Sequence, residues 1–132
     1  MSLLSSLADR ILGPCVPHAE LPHPVPPDVV IRRNRLIPAI GGMFIGGSRR
    51  PAGAVTLGRT ILWNADTPVT DDLIVHELVH VEQWREDPLF ALKYCAEWFR
   101  HGYHENPFEK VAYARQREYA ARKSKSVPPR PL

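Results

Sequence analysis

Thr70-Asp71-Asp72-Leu73-Ile74-Val75-His76-Glu77-Leu78-Val79-His80-Val81-Glu82-Gln83-Trp84 is the stretch on which the reading of the 132-residue chain turns. Thr70 supplies a capping hydroxyl, Asp71 and Asp72 put negative charge in a first helical turn, and apolar residues continue to Trp84. Inside this predicted helix lies His76-Glu77-Leu78-Val79-His80, an H-E-x-x-H pattern. Helical residues four apart differ by about 40° and one turn, so both imidazoles face one metal ion. Glu77 stands about 100° around from His76, near enough to reach a water on that metal without becoming a ligand. The uncharged neighbours Ile74, Val75, Leu78, Val79 and Val81 suit a buried metal helix. Two histidines do not complete a centre, because a catalytic zinc site takes three protein ligands and leaves a fourth position open.

Downstream, Asp87-Pro88 ends this helix and opens a second, with Asp87 as cap and proline in the first helical position. Leu89, Leu92, Ala96 and Phe99 share a face that Phe90, Tyr94 and Trp98 widen, which predicts a largely buried helix stopped by Gly102. Asn106-Pro107-Phe108-Glu109 starts a third helix, with asparagine as cap. Glu109 has two readings here: it closes a capping box on Asn106, or it is the third metal ligand. His101, His104 and Glu105, and more remotely Glu97, are the other donors in reach. The 28 residues between His80 and Glu109 hold one helix and two turns, enough for the third helix to return towards the first.

Upstream, 54–57 and 60–63 are two strands joined by Gly58-Arg59, a two-residue hairpin with glycine first. Residues 29–32 and 35–37 read as two further short strands around Asn34. Gly41, Gly42, Gly46, Gly47 and Gly53 lack phosphate-loop spacing and read as turns. Leu3, Leu4, Leu7, Ile11 and Leu12 form one stripe of a short helix over 2–12 that should pack on the core. The fold class expected is α+β: a small antiparallel sheet, a set of three helices carrying the metal site, and a short N-terminal helix.

The length fits one domain over 1–132, and 44% hydrophobic with 23% charged residues excludes general disorder and fibrous repeats. Fourteen prolines are an excess, and they cluster. Six between Pro14 and Pro27 mark a proline-rich arm over 13–28 that wraps the domain or spaces its first helix, and Pro128, Pro129 and Pro131 mark a flexible tail over 124–132. The net charge of +3 is concentrated late: Lys110, Arg115, Arg117, Arg122, Lys123, Lys125 and Arg130 face a single acid, Glu118. Weak nucleic-acid contact is the sharper reading of this basic end, although Tyr119 is its only aromatic residue after Tyr113. Cys15 and Cys95 lack metal or disulfide spacing and read as buried thiols. With neither a secretory signal pattern nor a long apolar run, a cytoplasmic protein with no membrane partner is expected.

His-Glu-Leu-Val-His at 76–80, followed after a separate helix by Tyr-His-Glu-Asn-Pro-Phe-Glu-Lys-Val-Ala-Tyr at 103–113, resembles the compact zinc metallopeptidase domains of the gluzincin type, minigluzincins included. The resemblance covers roughly 56–119; Glu82 departs from it, standing where the extended pattern prefers an apolar residue. It implies Zn2+ held by His76, His80 and Glu109, with Glu77 as general base in the hydrolysis of peptide or unfolded-protein substrates. A donor for the oxyanion is then needed. Tyr103 and His104 on the loop and Tyr113 one turn beyond Glu109 are the candidates. It further implies that substrate adds as a strand beside Thr60–Asn64. Two other functions stay open: a non-catalytic zinc-binding scaffold, in which a residue such as His104 closes the coordination sphere, and a nucleic-acid-associated protease.

Overall fold

A computed structural model describes residues 3–38 and 53–126. The elements run α1 (Leu3–Leu12), a single 3-10 turn (His18–Glu20), β1 (Val30–Asn34), β2 (Ala54–Leu57), β3 (Thr60–Asn64), α2 (Asp71–Glu86), α3 (Phe90–His101) and α4 (Pro107–Ser126). The class is α+β, as expected, but the sheet is mixed. Its order is β1-β3-β2, with β2 antiparallel to β3 and β1 parallel to β3. The hairpin forms where Gly58-Arg59 predicts it, Gly58 taking a φ of 63° that a side chain would resist. Because β2 enters antiparallel and the hairpin reverses it, β3 comes back parallel to β1.

The expected second strand at 35–37 does not form. The Asn34 side chain accepts the Ile37 amide at 2.9 Å and starts a helical turn over 36–38 instead. The glycines from Gly41 to Gly47 lie outside the described residues, as does the tail beyond Ser126; 124–126 belong to α4.

The proline-rich arm wraps the sheet. Val16 donates to the Ile31 carbonyl at 2.8 Å and Arg33 to that of Pro14 at 3.0 Å, so the arm covers the outer edge of β1. Gly13 makes this approach feasible: its φ is 89°, and a Cβ there would lie 1.7 Å from the Arg33 oxygen. The core consists of Val29, Ile31, Ile61, Trp63, Ile74 and Val81, with Val16, Leu21 and Val25 of the arm packed on it. Alternate residues of β1 and β3 thus point at one face of α2.

Two helices depart from their patterns. The α1 stripe is exposed (Leu3 91%, Leu4 79%, Leu7 52%, Ile11 63%) and not packed on the core. Helix α3 starts at Phe90, two residues later than expected, because the Asp87 side chain takes the Leu89 amide and its carbonyl takes that of Phe90. It is not largely buried either. Phe90 is its one buried residue, and the aliphatic stripe faces out. Cys95 lies exposed on that helix and Cys15 is exposed on the arm, so neither thiol is buried.

Candidate metal centre

Helix α2 packs chiefly on α4 and on β2, and the metal-ligand candidates lie at the α2–α4 seam. On α2, the i, i+4 spacing carries His76 and His80 to the same side, their ring centroids 5.0 Å apart. On α4, Asn106 starts the helix by accepting the Phe108 amide at 3.0 Å, and its own amide donates to the Tyr94 carbonyl. This fixes the register in which Glu109, in the first turn, turns inward instead of back onto the cap. Its Oε2 lies 3.1 Å from His76 Nε2 and its Oε1 3.3 Å from His80 Nε2, and all three side chains are buried. One donor atom from each lies within 4.8 Å of the others, and no other group of this kind occurs among the described residues.

The donor set fits a metal ion. Two bonds of about 2.0–2.1 Å at a tetrahedral centre subtend about 3.3 Å between ligand atoms, close to the two spacings observed. Three donors leave such an ion one open position. The second ring nitrogen of each histidine is engaged elsewhere, and Glu109 has a further partner on the oxygen that faces His80. His76 Nδ1 meets Gln116 Oε1 at 3.0 Å, and His80 Nδ1 meets Gln83 Oε1 at 2.8 Å. The Tyr94 hydroxyl donates to Glu109 Oε1 at 2.7 Å. Each candidate ligand therefore has its own orienting partner, the arrangement metal sites use to aim their ligands.

Charge at the seam follows from this crowding. Burial alone would raise the Glu109 carboxyl, but hydrogen bonds from both histidines hold it far below the usual carboxylate range. Burial opposes protonation of His80, yet the Glu109 hydrogen bond and the charges of Glu77 and Glu109 push it up to about 9. Burial first, and then the charge of Glu109, push the Tyr94 and Tyr103 phenols upward, so both stay protonated donors at neutral pH.

Glu77 is buried beside the histidines, its Oε2 accepting the Thr56 hydroxyl at 2.6 Å. Thr56 lies on β2, and Trp84 of α2 donates to its carbonyl at 3.2 Å, clamping the helix to that strand. The Tyr113 ring stands edge-on to His76 at 4.5 Å, and the Tyr103 and Tyr113 hydroxyls are 3.0 Å apart. His104 is exposed, its ring against Tyr103 at 5.3 Å, outside the donor group. Of the other donors weighed for the third ligand, Glu105 pairs with Lys110 and Glu97 with His101, away from the seam.

Two expectations change. Strand β3 pairs on both sides and has no free edge for a substrate; among the described residues β2 is the edge strand, and it borders Glu77. Trp63 on β3 is fully buried, with its indole donating to the Thr67 carbonyl, and serves the core. On α4, Lys110, Arg122 and Lys123 pair with Glu105, Glu118 and Asp71. Sequence reasoning does not mark Gln83, Gln116 or Tyr94 as site residues. For the two glutamines the signal is spacing: Gln83 follows His80 by three, and Gln116 follows Glu109 by seven, placing it two turns on along the same face.

No protein-family model, curated protein or solved structure matches the chain. No described helix is long and apolar enough to cross a membrane.

Proposed function

We propose that the chain is a zinc-dependent peptidase, with His76, His80 and Glu109 as metal ligands and Glu77 as general base. The observation that carries this reading is the convergence of two imidazole Nε2 atoms on one buried carboxylate, beside a second buried carboxylate held apart from them by Thr56. Two nitrogens and one oxygen suit zinc better than magnesium or calcium, which favour all-oxygen shells. When bound, the metal supplies Lewis-acid polarisation of the scissile carbonyl and of the attacking water. Glu77 takes the proton from that water. The Thr56 hydroxyl occupies Oε2 and leaves Oε1 to accept it, and the same carboxyl then returns the proton to the leaving nitrogen. Tyr113, whose ring stands against His76, and Tyr103, whose hydroxyl pairs with that of Tyr113, are the donors this reading assigns to the developing oxyanion. An extended peptide adds to β2, which among the described residues is paired on one side only, and backbone pairing there gives affinity with little sequence preference.

The test is metal analysis of purified protein together with cleavage of an unfolded protein, comparing wild type with Glu77→Gln. Zinc at one ion per chain in both, with cleavage lowered by about 10²–10⁴-fold in the variant, is the expected result. A variant as active as wild type sinks the mechanism, and a folded wild type that takes up no zinc sinks the metal reading.

A further inference from the structure

Each histidine of the donor group meets a glutamine through Nδ1, and each glutamine is held from behind by a group that can only accept. Gln116 Nε2 donates to the Asp72 carboxylate at 2.8 Å, and Gln83 Nε2 donates to the Phe108 carbonyl at 3.2 Å. Neither a carboxylate nor a carbonyl offers a proton, so each amide must turn its NH2 group towards its anchor and its oxygen towards the histidine. An amide oxygen in turn only accepts. Nδ1 of His76 and of His80 therefore carries hydrogen and is closed to a metal, so the nitrogen each ring can give up to one, on releasing any proton it holds, is the Nε2 that faces Glu109.

We propose that Gln116 and Gln83 are positioning residues that select the metal-binding tautomer of His76 and His80, and that Asp72 sets the direction of the Gln116 amide. The inference rests on the metal-binding part of the reading above and not on hydrolysis. An unanchored amide is ambivalent: rotated by half a turn it would present NH2 to Nδ1, make that nitrogen the acceptor, and move the ring proton to Nε2. Asp72 forbids the rotated form, which would set a carbonyl oxygen against a carboxylate. It also lies one turn before His76 on α2 while Gln116 reaches in from α4, so the chain Asp72–Gln116–His76 ties ligand direction to the packing of the two helices. For His80 the anchor is main-chain, and a side-chain substitution cannot remove it.

This asymmetry supplies the experiment, an exchange of polarity read as the zinc dissociation constant by chelator competition. Asp72→Asn lets the Gln116 amide rotate and should weaken zinc about 10–100-fold, the usual cost of losing an outer-shell partner. Gln116→Glu alone sets two carboxylates face to face and should also weaken it. The double variant Asp72→Asn/Gln116→Glu restores one consistent chain: the introduced amide donates to the introduced carboxylate, which accepts from His76 Nδ1–H. It should return affinity to within a few-fold of wild type. Gln116→Met, alone or with Asp72→Asn, should stay weak. Thermal unfolding of the metal-free forms checks that each variant folds. An Asp72→Asn protein that is folded and binds zinc like wild type overturns the proposal, and so does a double variant no better than either single one. A wild type that binds zinc tightly but cleaves nothing overturns the peptidase reading alone; one that binds no zinc overturns both.

Discussion

Helices α2 and α3 follow one another in the chain and invert the usual relation between pattern and burial. Helix α3, with Leu89 just before it, has a clean apolar stripe, Leu89, Leu92, Ala96 and Phe99, and the stripe faces water. Helix α2 has no clean stripe, because two histidines and a glutamate interrupt its apolar residues, and it is the more deeply buried. The difference teaches that in so small a domain burial follows what an element must hold. Helix α2 is gripped from two sides, by β2 through Trp84 and by α4 through the donor group, and its polar residues are buried because each finds a partner. The apolar docking of helix α3 runs through an aromatic row, in which Phe90 stands edge-on to Trp84 and Phe108 and Tyr94 lies over Phe108, with the Tyr94 hydroxyl and carbonyl adding hydrogen bonds to Glu109 and Asn106.

Because only one of its two phenylalanines belongs to that row, Phe90 and Phe99 should separate sharply. Phe90→Ala removes a 4%-exposed ring from between α2 and α4 and should cost about 3–5 kcal/mol in urea unfolding. A value below about 1 kcal/mol would mean that α3 is not docked as described. Tyr94→Phe keeps the ring and removes only the hydroxyl that Glu109 accepts. With a charged acceptor the loss should be about 1.5–3 kcal/mol, read in urea unfolding of the metal-free protein, where the hydrogen bond is already made.

The same contrast shows what the sequence made legible. Three of the elements that matter were readable because their signals are local: the hairpin from Gly58, the start of α4 from Asn106-Pro107, and the histidine-bearing helix α2 from Thr70 to Trp84. Glu109 was readable as a capping-box residue or a metal-ligand candidate, and packing turns its carboxylate to the two histidines and away from the cap, which Asn106 serves itself. What stayed hidden depends on which neighbour arrives. The direction of β1 relative to β3 is set by the order of strands in the sheet, and the outward turn of α1 and α3 by the absence of a described element on their apolar sides. No periodicity carries that information. The orienting glutamines were hidden for a further reason: an amide has no direction of its own until an acceptor-only anchor gives it one.

Titration sharpens the comparison from the α2 side. In the metal-free protein His80 is raised from 6.5 to about 9 by its Glu109 hydrogen bond, against the opposing effect of burial. Its contribution to stability is therefore fully present below about pH 6.5 and is lost as pH rises through 9. A metal needs the neutral imidazole, so loading at pH 7 should release about one proton. Apparent zinc affinity should then rise roughly tenfold per pH unit from 7 to 9 and flatten above. Calorimetry in buffers of different ionisation enthalpy measures the proton count, and a count of zero between pH 7 and 8 contradicts the ion pair described for the metal-free seam.

The smallest effect is the most exacting for α3. Leu92 and Phe99 are 69% and 81% exposed, and neither belongs to the aromatic row. Leu92→Gln and Phe99→Gln each remove an apolar group that is already in water, so each should change unfolding free energy by no more than about 0.5 kcal/mol. Phe99 makes its one ring contact with Trp98, its chain neighbour, so even the loss of that contact leaves the docking of α3 untouched. A cost of about 2 kcal/mol or more would show that the stripe is covered in the folded protein. The pattern that predicted a buried helix would then have been right about the face and silent about what covers it. Paired with Phe90→Ala on the same helix, the measurement separates the two faces without reference to metal or to activity.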